Sequence, residues 1–396
     1  MVFLKQYFGD SLLFSTFQYY TIVALYIISM ISIKYYDNPY FMVWFAYAFV
    51  PLMDEFLSLD IRNPTKEESK MMENQLRFKL PLYVTLFADW CMTLFLLNYV
   101  TTKPNLSLFT YFGCLLVAGN FAAININISH ELMHKNNKLD QFFGMLTLSK
   151  NLYMHFFIEH VQGHHKNVAT PSDPASSKFG QTYYEFLPQT LIGTLKSSWN
   201  YETKRLLEIK KLKSVWVPQN RMLYFGLNNL ILPLIIFKFW GFIGAFFFVG
   251  TAAIGIALLE VINYIEHYGL RRKEISPGIY EKVNIYHSWN TPHRFSNYVL
   301  FKLQRHSDHH ENGYKPYQIL TSFDESPQMP HGYSVCLLLA TVPSAWFKVM
   351  NEYVLTYNQK KVVTPKLSQR MHRDIMQFIG VVFVITSTLM ILGFRH

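Results

Sequence analysis

Apolar residues along this chain are collected into long runs, most of them separated by polar segments. A helix that crosses a lipid bilayer needs about 20 mostly apolar residues. Six runs before residue 263 come close to that length: residues 17–33, 40–57, 80–100, 106–128, 222–240 and 241–262. The pattern therefore predicts an all-α integral membrane protein whose centre is a six-helix transmembrane bundle.

Two more apolar stretches follow the six runs. Residues 333–350 are interrupted by Pro343, which favours a buried or interfacial helix over a further crossing. Residues 375–394 carry no charged side chain and predict an additional C-terminal transmembrane helix. We therefore expect residues 1–350 to form one transmembrane unit, followed by a linker and a membrane span within residues 351–396.

Charge is low overall and lies on one side of the predicted bundle. Only 16% of residues are charged, and the formal net charge is +10. Basic residues are concentrated in three loops: Arg62, Lys66, Lys70, Arg77 and Lys79 in the first; Lys204, Arg205, Lys210, Lys211 and Lys213 in the second; Arg271, Arg272 and Lys273 in the third. Six crossings place these loops and the N-terminus on one face, which the positive-inside rule identifies as cytosolic. Residues 129–221 and 263–332 are expected to form a cap there, and no nucleic-acid partner is indicated.

Histidines are the second unusual feature, because nine of the 15 fall in four short clusters. The members are His130 and His134; His160, His164 and His165; His267; and His306, His309 and His310. Histidines four positions apart, such as His130 and His134, lie on the same face of a helix, and the second and fourth clusters repeat that spacing. Neutral imidazole is a ligand for iron, zinc and copper, so the clusters predict a metal centre.

The number of histidines indicates two metal ions. A tetrahedral zinc site uses three or four ligands, whereas nine histidines provide four or five for each of two metals. The three cysteines form no CxxC pair, which excludes a zinc ribbon or a rubredoxin-type iron site within this chain. A histidine-rich cage without cysteine favours a non-haem di-iron centre. Carboxylates next to the histidines are candidates to orient the imidazoles: Glu131, Glu159, Glu266 and Asp308.

The first cluster has a competing interpretation. Residues 130–134 also match the HExxH pattern of zinc proteases, in which Glu131 would be the catalytic base. A protease site of this kind would use His130 and His134 only. The other three clusters would then have no role in the chemistry, which counts against this alternative.

Four sequence strings resemble those of a known family: HELMHK at 130–135, EHVQGHH at 159–165, NYIEHYGL at 263–270 and LQRHSDHH at 303–310. In order, spacing and flanking residues they are similar to the four histidine boxes of the membrane alkane 1-monooxygenases. That family belongs to the wider group of histidine-box desaturases and hydroxylases. The resemblance covers roughly residues 40–350 and includes the stretches at 51–54, 169–175 and 287–290.

The resemblance implies a di-iron hydroxylase unit in residues 1–350. The implied iron ligands are the nine clustered histidines, and Asp173 and Glu266 match recurrent acidic positions beside such ligands. The implied reaction is hydroxylation of the terminal methyl group of an alkane or fatty acyl chain with O2. Its electrons would come from a separate rubredoxin and its NAD(P)H-dependent reductase, since this chain has no cysteine pattern for a fused rubredoxin.

Alternatives stay open at the level of sequence. The histidine boxes do not separate an alkane hydroxylase from a fatty-acid or other lipid hydroxylase or desaturase of the same superfamily. The additional C-terminal span leaves open a structural role in a larger membrane complex. The substrate is expected to be an apolar small molecule that enters from the membrane lipids. Aromatic residues of the spans are candidates to line its path: Trp44, Phe45, Phe49, Trp90 and Phe121.

Overall fold

Helices make up nearly all of the regular structure in the computed structural model, which describes residues 16–360 and 369–394. The α-helices are α1 (Thr21–Tyr36), α2 (Phe41–Trp44), α3 (Val50–Phe56), α4 (Lys66–Met72), α5 (Leu76–Thr102), α6 (Leu108–Met133), α7 (Lys138–Lys150), α8 (Phe156–Ile158), α9 (His165–Asn167), α10 (Tyr183–Lys204), α11 (Arg221–His267), α12 (Arg294–Val299), α13 (His306–Glu311), α14 (Tyr333–Ala340), α15 (Pro343–Lys360) and α16 (Gln369–Gly393). The other helical segments are π-helical (Phe45–Phe49, Glu159–His164 and Arg205–Ile209) or 3-10 (Gln18–Tyr20 and Tyr317–Ile319). Strands β1 (Glu274–Ser276) and β2 (Ile279–Tyr280) pair antiparallel.

Four of the described helices are long and apolar enough to cross a membrane: α5, α6, α11 and α16. Of the remaining predicted runs, the first forms α1, which is 16 residues long. The second is divided into α2, a π-helical segment and α3, which has Pro51 in its first turn. Residues 1–15, which the sequence assigns to the basic side, lie outside the described residues. The molecule is therefore mostly helical, with several helices of membrane-spanning length.

The fifth and sixth apolar runs form the single helix α11, whose path reverses at Gly241. This residue has φ 66° and ψ −167°, a conformation that glycine adopts without a steric penalty. Just before the turn, the Trp240 indole donates to Asn98 in the last turns of α5 across 2.7 Å. Near the two ends of α11, Met222 packs with Ile158, which directly precedes the π-helical segment of the second histidine cluster, and His267 joins the other clustered histidines. Both ends of α11 therefore lie at the histidine end of the bundle, opposite Gly241.

Small residues let α6 and the second arm of α11 approach closely in the bundle centre. A Cβ atom added to Gly255 of α11 would lie only 2.6 Å from the Cβ atom of Ala122 in α6. Small residues at such contacts are typical of helix pairs in membranes. The close packing brings together the C-terminal ends of the two helices, which carry His130 and His267.

Helix α7 turns back along α6 and does not belong to a separate cap. Ser129 of α6 donates to the carbonyl of Gly144 across 2.7 Å. At the end of α7, the buried Lys150 ammonium lies 2.6 Å from the buried Asp89 carboxylate in the middle of α5, and Tyr26 of α1 donates to the same carboxylate. This helix corrects the prediction that the whole segment between the fourth and fifth runs forms a cap. Its 13 residues are too few and too polar to form a run of spanning length.

The C-terminal stretches form the helices that the sequence predicts. Pro343 begins α15 and separates it from α14, and α16 occupies most of the last apolar run. Asn38 donates to the carbonyl of Met390 across 2.9 Å, and the Trp44 indole donates to the Ser387 hydroxyl across 3.1 Å. Helix α16 therefore packs along the second apolar run, and its C-terminal end lies beside the α1–α2 turn, remote from the histidines.

Candidate metal centre

The nine clustered histidines come together at one end of the bundle in two adjoining groups. The first group holds five rings and the second holds four: His130, His134, His160, His165 and His309; and His164, His267, His306 and His310. Within each group, the potential ligand nitrogens all lie within 4.8 Å of one another. The two groups touch, because the His165 ring stacks on the His310 ring with 4.4 Å between centroids. They are called the five-histidine group and the four-histidine group below.

Two spanning helices and two short segments supply these rings. His130 lies in the last turn of α6, and His134 directly follows the end of that helix. His267 is the last residue of α11. The other six rings come from the π-helical segment with the residue that follows it, and from α13. The packing of the spanning helices thus sets three ring positions, and the short segments add the remainder.

The π-helical segment Glu159–His164 divides the second cluster between the two groups. A π-helix bonds residue i to residue i+5, so side chains five positions apart lie on the same side. The Nε2 atoms of His160 and His165 accordingly lie 3.0 Å apart, while the His164 ring belongs to the four-histidine group. His160 and His164 are four positions apart, the spacing of one α-helical face, yet they fall in different groups because the π-helical turn is wider than an α-helical turn.

The ring nitrogens are arranged as metal ligands require. In α13, the Nε2 atoms of His306 and His310 lie 3.0 Å apart. Two ligands at right angles on one metal, each at about 2.1 Å, have that separation. Four further Nε2 atoms of the clustered histidines are buried and lack a hydrogen-bond partner among the described residues, those of His130, His134, His164 and His267. Buried polar atoms normally have partners, so these nitrogens fit a metal ion that would bind them.

Burial also sets the protonation state of these rings. Burial lowers the pKa of the clustered histidines outside the spanning helices well below the ordinary value of 6.5, and the charges of neighbouring histidines lower it further. The rings affected are His134, His160, His165, His306, His309 and His310. Each of these rings is therefore neutral at pH 7. A neutral ring offers a lone pair to a metal ion.

Asp173, one of the two acidic residues singled out by the family resemblance, contacts the outer side of the four-histidine group. Its Oδ2 atom lies 2.9 Å from Nδ1 of His164. The same oxygen accepts a hydrogen bond from the Ser176 hydroxyl across 2.6 Å. A carboxylate at Nδ1 keeps the proton there, so that Nε2 is directed toward the centre of the group.

Glu266, the other acidic residue of that pair, has a different position. Its Oε2 atom lies 3.2 Å from Nε2 of His306, on the inner side of the four-histidine group. Its other oxygen accepts a hydrogen bond from the Tyr333 hydroxyl across 2.9 Å. Tyr333 has no signal in the sequence that points to this contact, because it lies 67 positions from Glu266 and has no spacing relation to any histidine cluster.

Glu131 does not orient a clustered histidine and has other partners. Its carboxylate binds the Lys135 ammonium across 2.6 Å and accepts from the backbone N–H of Tyr317 across 3.2 Å. The rings of His130 and His134 are grouped with three more histidines rather than with this carboxylate. The geometry therefore disfavours the zinc protease interpretation of the first cluster.

Asp308 and Glu159 also depart from the role expected of them. Asp308 binds the Lys315 ammonium across 2.5 Å and accepts from the backbone N–H of Thr321 across 2.6 Å. It therefore holds the loop after α13. Glu159 is buried beneath Gly163, where an added Cβ atom would lie 2.7 Å from Oε1 of the carboxylate. Adjacency in sequence to a histidine was a poor guide to contact in both cases.

An apolar cavity of about 100 Å³ lies between the second run, α6, α11 and α14. Its lining includes Met42, Phe45, Ile124, Leu259, Leu303 and Leu337. Tyr333 also lines it and connects it to the four-histidine group through Glu266. Of the five aromatic residues expected along a substrate path, Phe45 lines this cavity and the other four do not. Trp44, for example, faces α16, where it donates to Ser387.

Comparison with known proteins identifies the family. The fatty acid desaturase family matches residues 106–340. An alkane 1-monooxygenase of Acinetobacter baylyi is 38% identical over 84% of this chain and 80% of its own length. Alkane 1-monooxygenase 2 of Alcanivorax borkumensis is 36% identical over 79% of this chain and 83% of its own length. The xylene/toluene monooxygenase hydroxylase component XylM of Pseudomonas putida is 28% identical over 64% of this chain and 67% of its own length. With its converging histidines and apolar helices, the chain belongs to the alkane 1-monooxygenase family of membrane oxidoreductases.

Proposed function

We propose that this protein hydroxylates the terminal methyl group of an alkane or fatty acyl chain. The balanced reaction converts the substrate, O2, two electrons and two protons to a primary alcohol and water. One observation carries the proposal: histidines converge in groups of five and four rings, and Tyr333, which lines an apolar cavity between the long helices, donates to Glu266 beside His306 of the four-histidine group. Two iron ions held by these groups would supply the reduction of O2 and the oxidation of the C–H bond.

The surrounding side chains have separate tasks in this proposal. The apolar walls of the cavity take up the alkyl chain and exclude water from the reacting carbon. Asp173 keeps the proton of His164 on Nδ1. Tyr333 lines the cavity and donates to Glu266 beside His306, so this pair would separate the terminal carbon from the four-histidine group.

We infer six membrane crossings within residues 1–350, which form the hydroxylase unit, and a seventh crossing in α16. The reversal of α11 at Gly241 supports two crossings by that helix. The basic loops support a cytosolic position for the histidine end and the N-terminus. Residues 351–396 would then be a linker and one additional span, with the end of α16 on the opposite side of the membrane.

The three cysteines of the given sequence form no CxxC pair: Cys91, Cys114 and Cys336. We propose a rubredoxin-type donor with its NAD(P)H-dependent reductase, which accords with the resemblance of the histidine boxes. The basic loops at the histidine end would attract an acidic donor and raise its rate of association.

Iron analysis of one variant from each group tests the site. His309→Ala removes a ring from the five-histidine group, and His310→Ala removes its sequence neighbour from the four-histidine group. We expect the purified wild-type chain to hold two irons in nitrogen-rich coordination by Mössbauer spectroscopy, and each variant to lose one of them. His372→Ala, which changes an exposed histidine of α16, is the matched control and should retain both.

A product screen then identifies the substrate class. Alkanes and fatty acids would be supplied in parallel with rubredoxin, its reductase and NADH, and hydroxylated products would be measured by mass spectrometry. The match to the fatty acid desaturase family makes acyl chains the second candidate. A single bound zinc, or no metal in a chain with intact histidines, would overturn the di-iron proposal and favour a structural role.

A further inference from the structure

A second cleft lies between α10 and the first arm of α11, which is residues 221–240. Its volume is about 530 Å³, and it shares no lining residue with the apolar cavity. Leu195 and Trp199 of α10 form one wall, and Met222 and Phe225 of α11 form the other. Met222 and Phe225 are buried together with Ile158, so this second wall is fixed by packing. We call this space the α10–α11 cleft.

Gly226 keeps the α10–α11 cleft open. A Cβ atom added to this residue would meet no other atom within 4 Å. Gly226 lies in the second turn of α11, where every residue except proline favours the helix more than glycine does. Packing and helix propensity would therefore both permit a larger side chain, and the space in front of Gly226 is free for a ligand.

A buried imidazole nitrogen at this cleft has no partner. The His155 ring lines the cleft and is only 8% exposed, and its Nε2 atom makes no hydrogen bond to the described residues. Ser198 donates to the carbonyl of His155 across 3.0 Å, which holds the residue against α10. Burial lowers the pKa of His155 to about 4, so the ring is neutral at pH 7 and can present an N–H at Nε2. Buried polar atoms normally have partners, so this nitrogen points to a ligand that accepts a hydrogen bond.

The remaining polar groups favour an anion. Lys196 and Asn200 line the cleft one turn apart on the same face of α10, and both are exposed. No acidic side chain is present among the described residues that line it. Just beyond, the Glu202 carboxylate is paired with both Arg205, across 2.5 Å, and Arg221, across 2.7 Å. Two cations on one carboxylate leave an excess of positive charge beside the cleft.

The apolar wall of the cleft continues into a surface suited to lipid. The first arm of α11 belongs to a helix long enough to cross a membrane, and it carries exposed apolar side chains along its length: Tyr224, Leu227, Leu230, Ile231 and Leu234. Leu230 lies one turn beyond Gly226 on the same face, so the cleft opens onto this surface.

Two tryptophans indicate the depth of the cleft in the membrane. The ring of Trp199 lies 5.7 Å from the ring of Trp216, which is largely exposed. Tryptophan is enriched where lipid headgroups meet the hydrocarbon core. The polar groups of the cleft are therefore expected at the level of the headgroups, with the apolar arm of α11 extending toward the hydrocarbon.

We propose that the α10–α11 cleft binds one anionic phospholipid. Its phosphate accepts hydrogen bonds from His155, Lys196 and Asn200, and its acyl chains lie along the first arm of α11. A free phosphate would leave the apolar wall uncovered, and an alkane would leave the His155 nitrogen without a partner. Basic pockets between spanning helices on the cytoplasmic side are typical sites for anionic lipid headgroups. The proposal does not depend on the hydroxylase reaction.

Native mass spectrometry of the full-length protein in detergent tests the preference for charge. The protein would be titrated with phosphatidylglycerol and, in parallel, with phosphatidylcholine that has the same acyl chains. We expect one retained phosphatidylglycerol per chain, bound about tenfold more tightly than phosphatidylcholine. Lys196→Gln should abolish that preference, because the ammonium is the one cation in the described lining. Equal affinities for the two lipids in the wild type would overturn the proposal.

Gly226→Leu tests the position of the lipid, because the new side chain fills the cleft without meeting another atom of the protein. We expect this variant to retain no phosphatidylglycerol. Gly380→Leu is the matched control, since Gly380 is an exposed glycine of α16 that also has open space around it. Both substitutions favour the helix, and the control should bind lipid as the wild type does. Retention of the lipid by Gly226→Leu would refute the site.

His155→Phe separates lipid binding from a structural role of the ring. The variant keeps an aromatic ring beside Tyr153 and removes the unpartnered nitrogen. Affinity for phosphatidylglycerol should fall about tenfold, whereas the Tm of the lipid-free protein should be equal or higher, because no buried polar atom is left unpaired. A lower Tm with unaltered lipid affinity would show that His155 is structural and would refute its part in the site.

Glycerol 3-phosphate distinguishes a lipid from a soluble phosphate ligand. It supplies the phosphate without acyl chains, so it should neither displace phosphatidylglycerol nor raise the Tm, whereas phosphatidylglycerol should raise the Tm of the wild type and of Gly380→Leu. Displacement of the lipid by an equal concentration of glycerol 3-phosphate would overturn the assignment to a phospholipid.

Discussion

His309 and His310 are adjacent in the chain and belong to different groups. Successive side chains of an α-helix point about 100° apart, so two neighbours on α13 face opposite sides of the boundary between the groups. His164 and His165 are divided in the same way at the end of the π-helical segment. At the residue scale, the group that a histidine joins therefore depends on the direction of its side chain and not on the sequence cluster to which it belongs.

Asp173→Asn should weaken the four-histidine group specifically. The amide cannot hold the Nδ1 proton of His164 as a carboxylate does, so the ring loses its fixed orientation. Loss of such a partner typically lowers metal affinity about 10- to 100-fold. Chelator competition on the iron-loaded protein would measure the change.

Glu55→Gln is the control for this prediction. Glu55 lies 2.6 Å from a nitrogen of His331, which belongs to neither group, so iron affinity should be unaltered. If Asp173→Asn and Glu55→Gln retain iron equally well, the hydrogen bond to His164 has no part in metal binding.

At the scale of elements, the short segments between the spanning helices carry much of the site. The π-helical segment and the residue after it present three of the nine histidines: His160, His164 and His165. Helix α7 precedes this segment in the chain and lies within the bundle. The buried pair of Lys150 and Asp89 ties the end of α7 to α5. Charges inside a membrane protein are costly unless they are paired, so this contact is expected to hold α7 in place.

Lys150→Met should destabilise the protein by about 3–5 kcal/mol, because it leaves Asp89 buried without its cation. The double variant Asp89→Leu/Lys150→Met should be less destabilised than the single variant, since no charge is then left unpaired. Thermal unfolding in detergent would measure both effects.

Lys103→Met provides the comparison for an exposed pair. Lys103 lies 2.7 Å from Asp37, and both side chains are more than one third exposed. Its loss should cost less than about 1 kcal/mol of folding free energy.

A double variant at Lys150 and Asp89 that is less stable than Lys150→Met would contradict the ion-pair explanation.

At the scale of the whole molecule, burial of so many histidines links stability to pH. Rings such as His160 and His306 have a pKa well below 6.5 in the folded chain. The unfolded chain, with ordinary pKa values near 6.5, therefore binds more protons as the pH falls below that value. The stabilising contribution is complete above about pH 6.5 and is lost progressively below it.

The metal-free protein should accordingly unfold at lower temperature at pH 5.5 than at pH 7.5. Each ring with a lowered pKa contributes up to about 1.4 kcal/mol per pH unit below 6.5. His309→Gln should reduce this dependence, since its own pKa is lowered by burial, whereas His372→Gln on the exposed face of α16 should leave it unaltered. Identical pH dependence in His309→Gln and the wild type would refute the linkage.

Much of the fold followed from the chain alone, because hydropathy and turn preference are properties of short segments. The runs predicted at 80–100 and 106–128 correspond to α5 and α6, and the break between the fifth and sixth runs coincides with Gly241. The nine histidines were also recognisable, since metal-ligand spacing and flanking residues are local features. Their convergence follows from the spanning helices that carry two of the clusters.

Other features required the tertiary structure, because they depend on contacts between residues far apart in sequence. The division of the histidines into groups of five and four arises from the wider π-helical turn and from the orientation of α13, which directs His309 and His310 into different groups. The contact of Tyr333 with Glu266 and the packing of α7 among the spanning helices have no local signal. Sequence thus indicated which side chains are candidate metal ligands, whereas packing decided which of them meet, since a shared site needs fixed distances between separate elements.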